Sequence, residues 1–398
     1  MKIRKLQRSE IDISIEMSEY SFQYELSEEE REERRRNISP EDSWVVEDDG
    51  KILAKATVLP LMVHFQEKQV SMGGVSSVAT WPEYRRSGLV KDLLFQCLIE
   101  MKEKGQLLSF LAPFSIPFYR KFGWELFAEE QKLTLTKEQL PVRKPTAGSI
   151  KRVEKDYQVI RHVYEEWASR FNGTLIRDEK WWKRLISRDK KDHLAIYYTQ
   201  EGDPKGYMFY QIKSQTLTID ELIWLDPESR DGLFTFIANH DSMIDKVVWT
   251  TTPNDGIPFL LPDPKVEREI ISYFMARIVD VKEFLKVYPF QMEEGSSPII
   301  LHLTDEFCSW NDGTYFIEMK QNQIKTNFFS TKGSSGANCQ HPPKKGIRLS
   351  IQTLTALLFN AQSMDVLYRE GLVLGEEEQA KKLENAIKSG KPFIYDFF

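Results

Sequence analysis

The sequence predicts an α/β (α+β) chain of three domains, the second repeating the element order of the first. Three observations carry that reading. Residues 75–98, GVSSVATWPEYRRSGLVKDLLFQC, pass from a β-branched apolar run through a tight basic turn into an amphipathic stretch. The order helix, helix, hairpin, long strand, helix occurs twice, on either side of the connector PVRKPTAGS (141–149). Beyond a second connector, YPFQMEEGSSP (288–298), short strands alternate with helices. At 398 residues the chain exceeds what a single core usually holds. The domains therefore fall at 1–140, 150–287 and 295–398.

Lys2 to Leu6 reads as a first strand and Ser9 or Glu10 to Tyr20 as a helix. Residues 27–36, SEEEREERRR, offer Ser27 as N-cap with Glu30 three residues on, a capping box. Pairs Glu30/Arg34 and Glu32/Arg36 support that helix, whose charge reads as a solvated face before it reads as a lip for polyamines. Strands at 44–48 and 51–65 flank Asp49-Gly50, a hairpin signal. Val75 to Thr80 suits a buried strand, and Pro82 closes it because proline donates no ladder bond. Leu89, Leu93, Leu94, Cys97, Leu98 and Met101 then form one helix face. A helix beginning at Arg85-Arg86-Ser87-Gly88 presents free N–H groups, the positive end of its dipole and two arginines, which together suit a pyrophosphate. Neither GxxxxGK[ST] nor GxGxxG is present, so the usual signals for ATP and dinucleotides are missing. Residues 107–127, LLSFLAPFSIPFYRKFGWELF, read as a strand, a short helix holding Phe118-Tyr119, and a further strand.

After the first connector, 157–170 and 179–186 read as helices. Strands at 193–199 and 206–214 flank Gly202-Asp203-Pro204, then come the strand 216–225 and the helix 229–239. No Arg-x-x-Gly turn follows TLTIDELIWL. Asp226-Pro227-Glu228 stands there instead and would repel a pyrophosphate, so this repeat is expected not to bind one. The last third reads as strands 299–304, 314–319, 323–330 and 347–350 with helices at 351–359 and 376–389; 331–346 is a polar loop. The ending PFIYDFF is unusually apolar. From the residues alone it reads as a strand finishing a sheet.

Hydrophobic residues make up 41% and aromatics 12%, enough for packed cores. A net charge of −6 argues against a general nucleic-acid binder and permits cationic small molecules. Cys97, Cys308 and Cys339 form no CxxC and no disulfide framework, which suits a reducing cytoplasm. Six scattered histidines give no metal-ligand spacing, so no metal is expected. The absence of an h-region and of an apolar run of about 18 residues predicts a soluble chain without a membrane span.

Arg85-Arg86-Ser87-Gly88-Leu89-Val90 resembles the coenzyme A loop [QR]-x-x-G-x-[GA] of the GCN5-related acetyltransferases, with valine at the last position. Together with Phe118-Tyr119-Arg120-Lys121-Phe122-Gly123-Trp124 it resembles the Eis (enhanced intracellular survival) family over the whole chain. The resemblance implies two tandem acetyltransferase-like domains, the second without cofactor, and a C-terminal sterol-carrier-protein-like domain. A lipid-carrying role for that last domain is the rival it raises. It also implies acetyl-CoA as co-substrate and a small polyamine or aminoglycoside as acceptor. Acetylation of protein lysines or N-termini is the alternative. The family further implies a homo-oligomer, a hexamer, and a terminal carboxylate inserted into the first domain.

On that resemblance Val78, Ala79, Thr80, Arg85, Arg86, Ser87, Gly88, Leu89, Val90 and Lys91 hold acetyl-CoA, helped by N–H groups of Phe114 and Ser115. Arg120 and Lys121 are surface charges or partners of the adenosine phosphates. Tyr119 donates a proton to the departing thiolate, and the α-carboxylate of Phe398 accepts one from the attacking amine. Glu19, Glu25 and Asp396 are candidate walls of the acceptor pocket. Phe397 stands where relatives of this kind can carry an acid.

Overall fold

The structure, a computed structural model, describes residues 1–188, 193–253, 255–330 and 345–398. The first third comprises β1 (Lys2–Lys5), α1 (Ile11–Phe22), α2 (Glu28–Asn37), β2 (Ser43–Asp48), β3 (Lys51–Phe65), β4 (Lys68–Thr80), α3 (Leu89–Glu103), β5 (Leu108–Leu111), α4 (Ile116–Arg120) and β6 (Glu125–Thr136). Next come β7 (Ser149–Val153), α5 (Tyr157–Ala168), α6 (Glu179–Arg188), β8 (His193–Tyr198), β9 (Pro204–Lys213), β10 (Thr216–Trp224), α7 (Pro227–Ala238), β11 (Lys246–Thr251) and β12 (Glu267–Ile278). The remainder holds α8 (Val281–Val287), β13 (Ile299–Thr304), β14 (Gly313–Lys320), β15 (Gln323–Ser330), β16 (Ile347–Ser350), α9 (Ile351–Leu358), α10 (Met364–Arg369), β17 (Leu374–Gly375) and α11 (Glu377–Ala386).

Local rules account for many of these boundaries. The Ser27 hydroxyl accepts from Glu30 N–H at 3.3 Å while the Glu30 carboxylate accepts from Ser27 N–H at 2.8 Å, so the capping box is made. Asp49 and Gly50 both have positive φ, the geometry of a tight hairpin turn between β2 and β3. The strand expected at 75–80 begins earlier, at Lys68, because Lys68 to Val75 already pairs with β3. The sequence reading assigns no element to 240–287, where β11, β12 and α8 form. It likewise places β7's first residue, Ser149, in the connector. The loop predicted at 331–346 lies, but for its last two residues, outside the described residues, as does Cys339.

The connector at 141–149 divides the chain but not the sheet. Among the described residues, twelve strands form one sheet in the order β1-β2-β3-β4-β5-β12-β6-β11-β10-β9-β8-β7. β12, more than a hundred residues downstream, inserts between β5 and β6. Met275–Ile278 pair with β5, and Glu267–Ala276 with β6. The element repeat is real: β8-β9-β10, α7 and a parallel β11 match β2-β3-β4, α3 and a parallel β5. β4 and β10 each also carry one extra residue against their antiparallel neighbours, at Ser77/Val78 and at Asp220.

A second sheet, β15-β14-β13-β16-β17, packs with α9 to α11 against one face of the large sheet. Phe359 packs its ring on Phe65, Phe110 and Phe127 at 4.8–5.7 Å, which welds the last third to the first. A fully buried ion pair, Arg277 to Asp305 at 2.5 Å, fixes β12 to the same region. Arg277 also donates to the Phe122 carbonyl. A β-carbon on Gly123 would stand 1.5 Å from that guanidinium, and Gly123 has φ +89°. Only glycine fits there.

Candidate active site

β4 and β5 pair in parallel only through Met72–Gly74 and Leu108–Phe110. Above Gly74 they separate. β5 stops at Leu111, so the next wall across the gap is β12, whose ladder with β5 is confined to Met275–Ile278. Val78, Ala79 and Thr80 line the β4 side of this wedge just past the bulge, where Ser77 has φ +52°. The hydroxyl of Thr80 is buried and, among the described residues, has no hydrogen-bond partner. A strand whose N–H groups face a gap is suited to hold a carbonyl oxygen.

The turn that follows is exposed from Arg85 to Gly88. Arg86 and Gly88 both have positive φ (+65° and +88°), which curls the backbone so that α3 starts abruptly at Leu89. Gly88 caps α3 with no side chain, and the N–H groups of Leu89, Val90 and Lys91 lack helical acceptors, as any first turn does. Added bulk at Gly88 would meet nothing within 4 Å, so the approach is open. Arg85 Nε donates to the Thr80 carbonyl at 3.4 Å, and the Ser87 hydroxyl to the Tyr84 carbonyl, which brace the turn against the strand end. Open amides, an uncapped helix start and two exposed arginines fit a pyrophosphate.

Tyr119 sits on α4, buried, with its ring edge-on to Phe114, Phe118 and Trp124 at 5.2–6.3 Å. Burial lifts its phenol well above the ordinary tyrosine value, so it stays protonated. Its hydroxyl takes no hydrogen-bond partner among the described residues. Ser115 caps α4 through its backbone, without a side-chain bond, and Phe114 is 70% exposed. Arg120, half-exposed, is paired with Glu125 at 2.6 Å on the surface.

Among the described residues the last ones do not finish a sheet; a bridge joins Pro392 to Asn172. Phe393 and Ile394 are fully buried. Tyr395 stacks on Trp167 at 5.2 Å, and its hydroxyl meets the backbone of Leu222 on β10. Phe398 is buried between Phe274 (5.0 Å) and Trp181 (6.1 Å), with its ring against Gly74 at the foot of the wedge. Phe397 alone turns outward, 48% exposed.

Asp396 is a correction. It walls no pocket: Arg177, itself fully buried, holds it at 2.9 Å, and Trp181 Nε1 donates to it at 2.6 Å. The same guanidinium grips Glu221 at 2.5 Å and lies 3.8 Å from the Tyr164 ring. Glu19 is likewise committed, accepting from Arg31 at 2.6 Å and from Leu26 N–H at 2.9 Å. Glu25 is exposed on the turn between α1 and α2.

In the second half the matching helix start is already filled. Asp226 caps α7, its carboxylate accepting from Ser229 N–H at 2.8 Å. Glu228 accepts from Ala147 N–H and from the Tyr197 hydroxyl. β10 leaves β11 after Ile219↔Trp249, and Glu221 and Leu222, beyond that point, are engaged by Arg177 and by Tyr395. Arg177 and Gly74 are the residues that sequence reasoning missed. A glycine pair inside a strand marks close approach, so Gly73-Gly74 could have been found; a lone arginine in a loop carries no such mark.

Three family models match the chain: an acetyltransferase (GNAT) domain over residues 2–127, a second such domain over 173–278, and a sterol carrier protein domain over 281–395. A solved structure from Enterococcus faecalis V583, described as a probable N-acyltransferase, is 30% identical. It superposes with a TM-score of 0.90 over 100% of this chain and 99% of its own. An uncharacterized N-acetyltransferase of Streptomyces avermitilis is 23% identical over 94% of this chain and 92% of its own. Eis1 of Mycobacterium abscessus, at 18% identity, shares the fold over the full length of both chains with a TM-score of 0.81.

Proposed function

Because the chain belongs to the Eis-like GCN5-related N-acetyltransferases with a C-terminal sterol-carrier-like domain, we propose that its first wedge, between β4 and β12, is the acetylation site for small-molecule amines. The chain is an N-acetyltransferase, and such domains use acetyl-CoA. What carries the reading is the contrast between the two halves. One helix start is open and flanked by Arg85 and Arg86; its counterpart is closed by Asp226.

The amides of Leu89, Val90 and Lys91, with Arg85, Arg86, Ser87 and Gly88, hold the pyrophosphate of the co-substrate. Val78, Ala79 and Thr80 receive its pantetheine arm and acetyl carbonyl in the wedge, with Phe114 and Ser115 at the opposite side. The carbonyl oxygen accepts from a β4 N–H there. An incoming neutral amine forms the new N–C bond as the C–S bond breaks. The carboxylate of Phe398 takes the proton from nitrogen: an α-carboxyl, of pKa about 3.3–3.7, is ionised at neutral pH. Tyr119, kept as a neutral phenol, donates its hydrogen bond to the departing sulfur. Arg177 supports this by pinning Asp396, two residues before the base.

The acceptors are primary amines. Polyamines and aminoglycosides, which the family resemblance brings forward, are the polycationic members of that class. The second half binds no co-substrate and serves as the anchor for the tail. We also infer a cytoplasmic homo-oligomer, a hexamer by the same resemblance. Phe259, 93% exposed, offers apolar surface for such contacts, and light scattering would test the mass. No helix of the described residues is long and apolar enough to cross a membrane.

A coenzyme A release assay over an amine panel tests the reading, with Tyr119→Phe and a chain lengthened by one residue after Phe398. Wild type releases thiol with at least one amine, and each variant loses about a hundredfold in kcat. Full turnover in the lengthened chain would remove Phe398 as the base.

A further inference from the structure

Resting on that reading, we propose that the acceptor is an amine carried on an apolar body, an arylalkyl or alkyl monoamine, and that Phe397 is the residue that selects it. Phe397 adjoins the candidate base and is the one residue of the 393–398 tail that faces outward. Its ring lies 6.3 Å from those of Tyr273 and Phe274 on β12. Leu61 of β3 reaches the same point of Gly74 that the Phe398 ring covers. Tyr273 and Leu61 are half-buried and pack on the same core as Phe398. An amine brought to the end of the chain then meets the apolar rings of Phe397 and Tyr273 beside it.

Charge points the same way. A polycation needs several ionised carboxylates around its path, and several acids near the tail are already paired, although Glu129 of β6, opposite Ser272, is exposed. Asp396 and Glu221 share Arg177, and Glu19 is paired with Arg31. Asp255 is bonded to the Thr251 hydroxyl and to Ile257 N–H. Glu130 on β6 is largely buried, which raises its carboxyl to about 7. Glu269 of β12 is exposed four residues above Tyr273, about 13 Å away along an extended strand. A single ammonium with an apolar tail matches this lining; a cluster of ammonium groups does not.

The test uses the full-length protein, acetyl-CoA and thiol release, comparing phenethylamine, tryptamine and hexylamine with spermidine and kanamycin. At least one of the three apolar monoamines is expected to exceed both polycations in kcat/KM by tenfold or more. Phe397→Glu should lower the monoamine value about tenfold and raise the polycation values, with kcat for the best monoamine little altered. Polycations equal to or better than monoamines on the wild type would overturn the inference and leave the transferase reading intact. An unchanged ratio in Phe397→Glu would do the same. No thiol release with any amine would overturn the reading beneath it as well.

Discussion

The ring of Phe398 lies over Gly74 so closely that a β-carbon on that glycine would stand 2.8 Å from Cε2 and 2.9 Å from the Cδ1 methyl of Leu61. Gly74 is also the last β4 residue paired with β5. The point where the sheet opens is thus the point where the chain's last side chain is seated. Gly74→Ala has no room on this face and must push the ring, and the carboxylate with it, out of place. A drop of roughly tenfold to a hundredfold in kcat is expected, since small misplacements of catalytic groups cost about that much. Steady-state kinetics should show KM for acetyl-CoA nearly constant. Adding Phe398→Leu, which thins the ring, should restore part of the loss.

Removing the Arg177 guanidinium leaves Asp396 and Glu221 buried without their countercharge. Arg177→Met should destabilise the protein by about 3–5 kcal/mol, the usual consequence of breaking a buried pair from one side. Chemical denaturation reads that loss. Activity should fall further than the folded fraction accounts for, because the tail loses its anchor.

Glu130 gives a pH-dependent signature. Its folded value is raised to about 7 by burial, against about 4.3 in an unfolded chain. Between those values the folded state holds a proton that the unfolded state has released, so stability falls as pH rises through the window. The penalty is complete above pH 7 and amounts to about 4 kcal/mol at most. Glu130→Gln should accordingly stabilise the protein at pH 8 and change little at pH 4.5. Melting curves at the two pH values decide this.

Gly88→Ala tests the helix start. Space is available, but φ +88° costs a residue with a side chain about 1–2 kcal/mol. The turn should relax and tilt its amides, raising KM for acetyl-CoA about tenfold with KM for the amine unaltered. The matching change at the second helix start, Asp226→Ala, should leave kinetics alone and lower stability by about 1 kcal/mol as a lost cap.

The local geometry of the candidate site was legible where short stretches encode it. Arg85 to Lys91 could be read because a positive-φ glycine, two arginines and a helical stripe are all short-range signals. The capping box at Ser27/Glu30 and the hairpin at Asp49-Gly50 are of the same kind. Tyr119 lies in a motif whose Gly123 now has a cause in Arg277 more than 150 residues away. What could not be read is what depends on distant partners. Nothing in EREIISYFMARI says that this strand belongs between β5 and β6, and nothing near Asp396 announces Arg177. An acid beside the terminus read as a pocket wall because its counterion was invisible.

The insertion of β12 has a consequence for biosynthesis. β6 ends at Thr136 and β12 at Ile278, so the first sheet cannot close when the residues preceding the connector leave the ribosome. At about 5–20 residues per second, roughly 7–30 s pass before the missing strand emerges. Throughout that interval β5 and β6 offer unclaimed ladder edges to any neighbouring chain. A nascent polypeptide built this way is exposed to mispairing on crowded polysomes, and slower translation between the two strands would lengthen its exposure.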